Sequence, residues 1–129
     1  MNDRPFIEFI QAQQLAPEQT AYHDVRSGAE IRVLSSDPTS GAASLLVAYP
    51  AGWRRPLNEV LTQDEEFFVL SGQLRIGDRT YHRYGYGHLP TGWFRSGMSS
   101  PSGAVVLTFF TGVPEHRDAS AHTPDMADQ

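Results

Sequence analysis

Glu65-Glu66-Phe67-Phe68-Val69-Leu70-Ser71-Gly72 is the stretch that decides the fold. Aromatic and branched residues follow one another and a glycine stops the run, which reads as a strand. Alternation puts Glu65, Phe67 and Val69 on one face and Glu66, Phe68 and Leu70 on the other. Both faces are largely apolar, as in a strand covered on both sides. Glu65 therefore lies in line with Phe67 and Val69. A carboxylate among apolar side chains needs a cation, a metal or hydrogen-bond donors.

Outward from this stretch the chain repeats the same theme. Short apolar or alternating runs at 29–35, 44–49, 73–76, 79–83, 86–89 and 104–110 read as further strands. Gly41, Gly52, Gly72, Gly77-Asp78, Pro90-Thr91-Gly92 and Pro101-Ser102-Gly103 separate them, and residues 99–103 read as a loop. Residues 5–10 read as an early strand, while Pro17 limits the helix-like stretch 11–22 to one short turn. Many short strands with Gly/Pro turns predict an all-β sandwich or barrel. We expect one domain over residues 1–118 and a loosely held tail over 119–129.

Composition narrows the chemistry. The chain has 129 residues, 40% apolar and 19% charged, within the range of globular domains. It has no cysteine, which removes thiolate catalysis and Cys-ligated zinc. All ten basic residues are arginine, so a lysine Schiff base is excluded. A net charge of −5 is the reverse of what phosphate neutralisation requires, so nucleic acid is not an expected partner. No apolar run approaches the roughly 20 residues of a membrane span, and the start lacks the plan of a secretory signal, so a cytoplasmic protein is the expectation.

Gly52, Glu65 and Gly72 fall at the spacing of the glycine, glutamate and glycine of the first cupin motif. Pro90-Thr91-Gly92, after the glycine-bearing run Tyr84-Gly85-Tyr86-Gly87-His88-Leu89, resembles the second. The likeness covers about residues 44–110. The chain thus resembles the cupin superfamily, which implies a double-stranded β-helix, a jelly-roll barrel with a pocket inside. The family's metal-binding histidines would fall at Asn58, Val60 and Arg95, so only Glu65 of the usual ligands is present. Valine has no donor atom and a guanidinium repels a metal.

The candidate site residues follow. Glu65 is a pocket carboxylate that serves as acid, base or anchor, or else is simply solvated or held by backbone. Arg95 replaces the lost metal with a guanidinium that pairs with Glu65 or clamps an anionic ligand, unless it is a surface residue after the turn. These two are the candidate catalytic residues. Asn58, Phe67, Val69, Tyr86, His88 and Trp93 are candidate lining residues for the substrate. Three functions stay open. One is a metal-independent binder or enzyme for a small organic molecule, anionic or aromatic, with non-redox chemistry such as proton transfer, isomerisation, cyclisation or elimination. Another keeps a divalent metal through His88 with Glu65, joined by Glu59 or Glu66, as a dioxygenase or hydrolase. The last is a non-catalytic ligand sensor. No cofactor is the favoured expectation, and a homodimer using residues 5–10 is expected because Phe6, Ile7, Phe9 and Ile10 need cover.

Overall fold

The computed structural model describes residues 4–119. Ten strands form two five-stranded antiparallel sheets, and two short 3-10 turns, Ala12–Gln14 and Ala21–Val25, precede them. The strands are β1 (Glu30–Ser36), β2 (Ala43–Tyr49), β3 (Trp53–Leu61), β4 (Glu65–Gly72), β5 (Leu74–Ile76), β6 (Arg79–Tyr81), β7 (Tyr86–Leu89), β8 (Arg95–Ser100), β9 (Ala104–Phe110) and β10 (His116–Asp118). One sheet runs β1-β2-β9-β4-β7 and the other β10-β3-β8-β5-β6. The jelly-roll expectation is met. No helix among the described residues is long and apolar enough to cross a membrane.

The core lies between the sheets and follows from period-two alternation. β2 turns Ala43, Leu45, Val47 and Tyr49 inward, and β9 turns Ala104, Val106, Thr108 and Phe110 inward. β4 adds Phe67 and Val69, both fully buried, and Glu65 beside them. Phe67 lies against the strand next door at Gly87, where a Cβ would sit 2.6 Å from the ring. Only glycine admits so close an approach.

Three strands depart from the sequence expectations. β3 carries Pro56, which argues against a strand, but the register shifts between Arg55 and Asn58, and such a bulge needs no N–H from the proline. β8 is Arg-Ser-Gly-Met-Ser-Ser, too polar to read as a strand, and its residues 99 and 100 were expected in a loop. β10 is a three-residue edge paired to β3. Conversely, residues 5–10 form no strand: that segment runs along the first sheet, tethered where Arg4 donates to the hydroxyls of Ser35 and Ser44 at 2.9 Å. Proline at position 5 lacks a donor for a ladder. The tail expected over 119–129 lies outside the described residues except for Ala119.

Candidate functional site: a guanidinium pair on a buried carboxylate

The inward face of β4 begins at Glu65, 1% exposed, directly above Phe67 and Val69. Arg26 and Arg95 close on it. One terminal nitrogen of Arg26 donates to both Glu65 oxygens at 2.6 Å, and a terminal nitrogen of Arg95 donates to Oε1 at 2.6 Å. Arg26 is 0% and Arg95 1% exposed.

Each partner is placed by its own element. Arg95 opens β8 opposite Glu59 of β3, in the sheet facing β4. Arg26 follows the 3-10 turn Ala21–Val25, which Thr20 starts by accepting from the Tyr22 N–H while its own N–H donates to His23 Nδ1. Tyr22 and Val25 are buried, and the Tyr22 hydroxyl donates to the Gly41 carbonyl at 2.7 Å, so the turn is pinned over the end of the barrel. Arg26 also donates through Nε to the Tyr49 hydroxyl at 2.9 Å and through its other terminal nitrogen to the Val25 carbonyl at 2.6 Å. Its guanidinium carbon lies 5.7 Å from the Phe110 ring centre, within cation–π range.

The electrostatics follow from this geometry. Burial pushes the Glu65 carboxyl up, but the charges of Arg26 and Arg95 and their hydrogen bonds outweigh it and hold it below the ordinary carboxylate value. Burial alone would lower Arg26, and Glu65 reverses this, so Arg26 stays charged. Burial raises the Tyr49 hydroxyl, so it remains protonated. Two guanidiniums thus face one carboxylate in the barrel interior. Of Arg95's nitrogens, Nε is buried and has no acceptor among the described residues.

A second ionic group lies on β3. Glu59 is buried, takes both Nε and a terminal nitrogen of Arg55 at 2.8 Å, and meets Nδ1 of His116 at 2.5 Å. Nε2 of His116 lies 2.7 Å from Asp118 Oδ1. With a carboxylate at each ring nitrogen, the His116 pKa is raised, chiefly by the hydrogen bond to Glu59.

Beside the first group, a cleft of about 240 Å³ opens between the β5–β6 hairpin and the segment joining β7 to β8. Ile76, Arg79, Tyr81, Trp93, Phe94 and Arg95 contribute to its lining. Tyr81 packs edge-on against Phe67, with ring centres 4.9 Å apart.

The structure brings together some of the residues proposed from sequence and separates others. Glu65 and Arg95 are in direct contact, and Trp93 shares the cleft lining with Arg95. Phe67 and Val69 are sealed core residues, and Phe67 packs against Tyr81 of the cleft lining. Asn58, His88 and Tyr86 are exposed and point away from the barrel interior, Tyr86 donating to Glu66 on the outer face. They alternate with the buried Glu59, Gly87 and Leu89, so the pleat carries them outward.

Arg26 and the Arg55–Glu59–His116 group were not anticipated. The need of Glu65 for a cation pointed toward a residue of Arg26's kind, but nothing local tied position 26 to position 65.

The metal that the resemblance implies does not fit these residues. Both oxygens of Glu65 already accept from guanidiniums, Val60 offers no donor, and Asn58 is exposed. The substitute ligands are also split, since Glu66 and His88 pair across the outer face while Glu65 and Glu59 face inward. Among the described residues no group of three or more His, Asp or Glu side chains is placed to hold an ion.

A family profile described as "Domain of unknown function (DUF4437)" matches residues 10–112. The chain belongs to the DUF4437 family. No curated protein matches it. Among solved structures, this DUF4437 chain is similar to a candidate dioxygenase from Nostoc punctiforme PCC 73102, with 25% identity and a TM-score of 0.68 over 75% of this chain and 35% of that one. An acetylacetone dioxygenase from Acinetobacter johnsonii matches at 17% identity and a TM-score of 0.66, over 92% of this chain and 80% of that one. An RmlC-like cupin from Shewanella frigidimarina NCIMB 400 matches at 12% identity and a TM-score of 0.63, over 84% and 93% of the two chains. The fold is that of the cupins. The chain spans about a third of the length of the Nostoc protein.

Proposed function

We propose that this DUF4437 chain is a small-molecule-binding cupin whose barrel centre works without a metal, and that any reaction it runs is non-redox. One observation carries the reading: Glu65, at the position where the family's glutamate ligates metal, has both oxygens engaged by Arg26 and Arg95. A divalent ion there would have to displace two buried guanidiniums and leave their charge unbalanced.

The ligand site in this reading is the cleft lined by Tyr81, Trp93 and Arg95. Arg95 is the residue that faces the ligand. Glu65 orients Arg95 and does not carry a proton, because its pKa is depressed and it is sealed from solvent. This departs from the acid or base role that the sequence suggested for Glu65. A fixed guanidinium next to a carbonyl stabilises negative charge that develops on oxygen, which suits proton transfer or isomerisation. The same geometry equally serves a protein that only binds.

The test is elemental analysis of protein purified from metal-replete culture, with melting scans in added Fe(II), Mn(II), Zn(II) and Ni(II). The expected result is substoichiometric metal and an unmoved Tm. Close to one metal per chain, lost in Glu65→Gln, refutes the proposal and favours the dioxygenase activity named for the Acinetobacter protein.

A further inference from the structure

We propose that the cleft beside Arg95 takes a small planar organic anion, one of whose oxygens accepts the Nε–H of Arg95. This rests on the reading of that cleft as the ligand site and adds the class of ligand and the contact that selects it.

Three observations meet here. First, Arg95 is buried, yet its Nε–H has no acceptor among the described residues. A buried donor left unpaired is costly, so an arriving oxygen gains by pairing with it. Second, charge in the interior favours an anion, since three guanidiniums, those of Arg26, Arg95 and Arg55, face two buried carboxylates, Glu65 and Glu59. The lining of the cleft holds one acid, Asp78 on the β5–β6 turn, and a second cation, Arg79 at the start of β6, both exposed, and these offset each other at the rim. The cation at the inner wall is Arg95, which shares Glu65 with Arg26. Third, the walls are flat. Trp93, Phe94 and Tyr81 present aromatic surface around a space of about 240 Å³, which suits a ligand with a single ring or a short conjugated chain. Nε itself has no exposed surface, so the proposal requires that the half-buried Trp93–Phe94 segment, which belongs to no strand, shifts to admit an oxygen to it.

The charge on Arg95 is what gives the site selectivity. A neutral ligand of the same shape still accepts the Nε–H through a carbonyl oxygen, but forfeits the attraction of a carboxylate's charge for the guanidinium.

The experiment uses the full chain and three probes: benzoate, furan-2-carboxylate and, as neutral control, benzamide. Proton–nitrogen correlation spectra resolve the Nε–H groups of arginines, and Arg95→Lys assigns the Arg95 signal. Both carboxylates are expected to move that signal downfield together with the Trp93 indole, while the Arg26 Nε–H, already donating to Tyr49, stays in place. Benzamide is expected to bind at least roughly tenfold more weakly, the worth of that attraction. Trp93→Leu is expected to weaken benzoate without moving the Arg95 signal of the free protein. If the Trp93 indole responds but the Arg95 Nε–H does not, or if benzamide binds as well as benzoate, the ligand class is refuted while the cleft stands as the binding site. If no cleft signal responds to either carboxylate at millimolar concentration, the inference and the location of the site both fall.

Discussion

Glu65→Leu removes the carboxylate that Arg26 and Arg95 both hold in ion pairs. The variant leaves two guanidiniums, 0% and 1% exposed, facing each other across an apolar gap. Breaking a buried ion pair by deleting one partner costs about 3–5 kcal/mol, a large part of the ~5–15 kcal/mol that holds a domain together. Glu65→Leu with Arg95→Met still strands Arg26, whose remaining acceptors are the Tyr49 hydroxyl and the Val25 carbonyl, so this double variant recovers little. Arg26→Met added to those two removes every charge at once. Apolar replacement of a complete buried ion cluster is often close to neutral, so the triple variant is expected to regain most of the loss, less about 1–2 kcal/mol for the Tyr49 hydroxyl left unpaired. Urea unfolding followed by circular dichroism reads these differences as midpoint shifts at constant slope. The reasoning is wrong if the three single substitutions sum to the triple within about 0.5 kcal/mol, or if Glu65→Leu costs less than about 1 kcal/mol.

Other expectations are independent of that cycle. The raised pKa of His116 means that its contact with Glu59 is fully present below the ordinary histidine value and is lost as pH rises through the folded-state value. An NMR titration should therefore place His116 above 6.5, and the wild-type advantage over His116→Ala should shrink on the alkaline side; a histidine titrating below that value contradicts this. Glu65 behaves in the opposite sense, since its depressed pKa stabilises the fold above the ordinary glutamate value and that contribution disappears only as pH falls through the lower, folded-state value. Gly87→Ala puts a methyl 2.6–2.7 Å from two carbons of the buried Phe67 ring and should cost roughly 1–3 kcal/mol in the same urea assay; a neutral effect would mean that β7 moves freely from β4. Phe6 and Phe9 are 89% and 78% exposed, Phe9 lines a groove of about 380 Å³ with Leu34, Leu107 and Phe109, and a homodimer covering both rings is expected. Sedimentation showing a monomer at micromolar concentration, or a dimer unchanged after deletion of residues 1–10, counts against it.

The strands with alternating or continuous apolar runs were legible in the sequence because burial itself writes that pattern. β2, β4, β7 and β9 all read correctly to within a residue or so. β3 and β8 did not, for a shared physical reason. Their inward positions are occupied by Glu59, Arg95 and Ser100, so the face that should look apolar looks like surface. The ions that make the site are what hid the strands that carry it.

The meeting of Glu65 with Arg95 was legible because both lie in motifs of fixed spacing. Arg26 was not, because it enters from a turn 39 residues upstream, fixed only by the packing of Tyr22 and Val25. Asn58, Tyr86 and His88, expected as lining residues, lie exposed through the pleat, where one position decides between the interior and the outer face.

Arg26, Glu65 and Arg95 are 39 and 30 residues apart in sequence and draw on an N-terminal turn and on both sheets. All three segments have to be in place before the charges can shed water together, so the cluster is expected to be one of the last parts of the native structure to close. Glu65→Leu should then speed unfolding while leaving the folding rate unchanged in stopped-flow measurements. Contacts absent from the folding transition state do not set how fast a chain folds; they set how long it stays folded. The ionic plug therefore acts as a clasp on the time axis. Loosening it shortens the lifetime of the native barrel and leaves the rate at which the barrel assembles almost untouched.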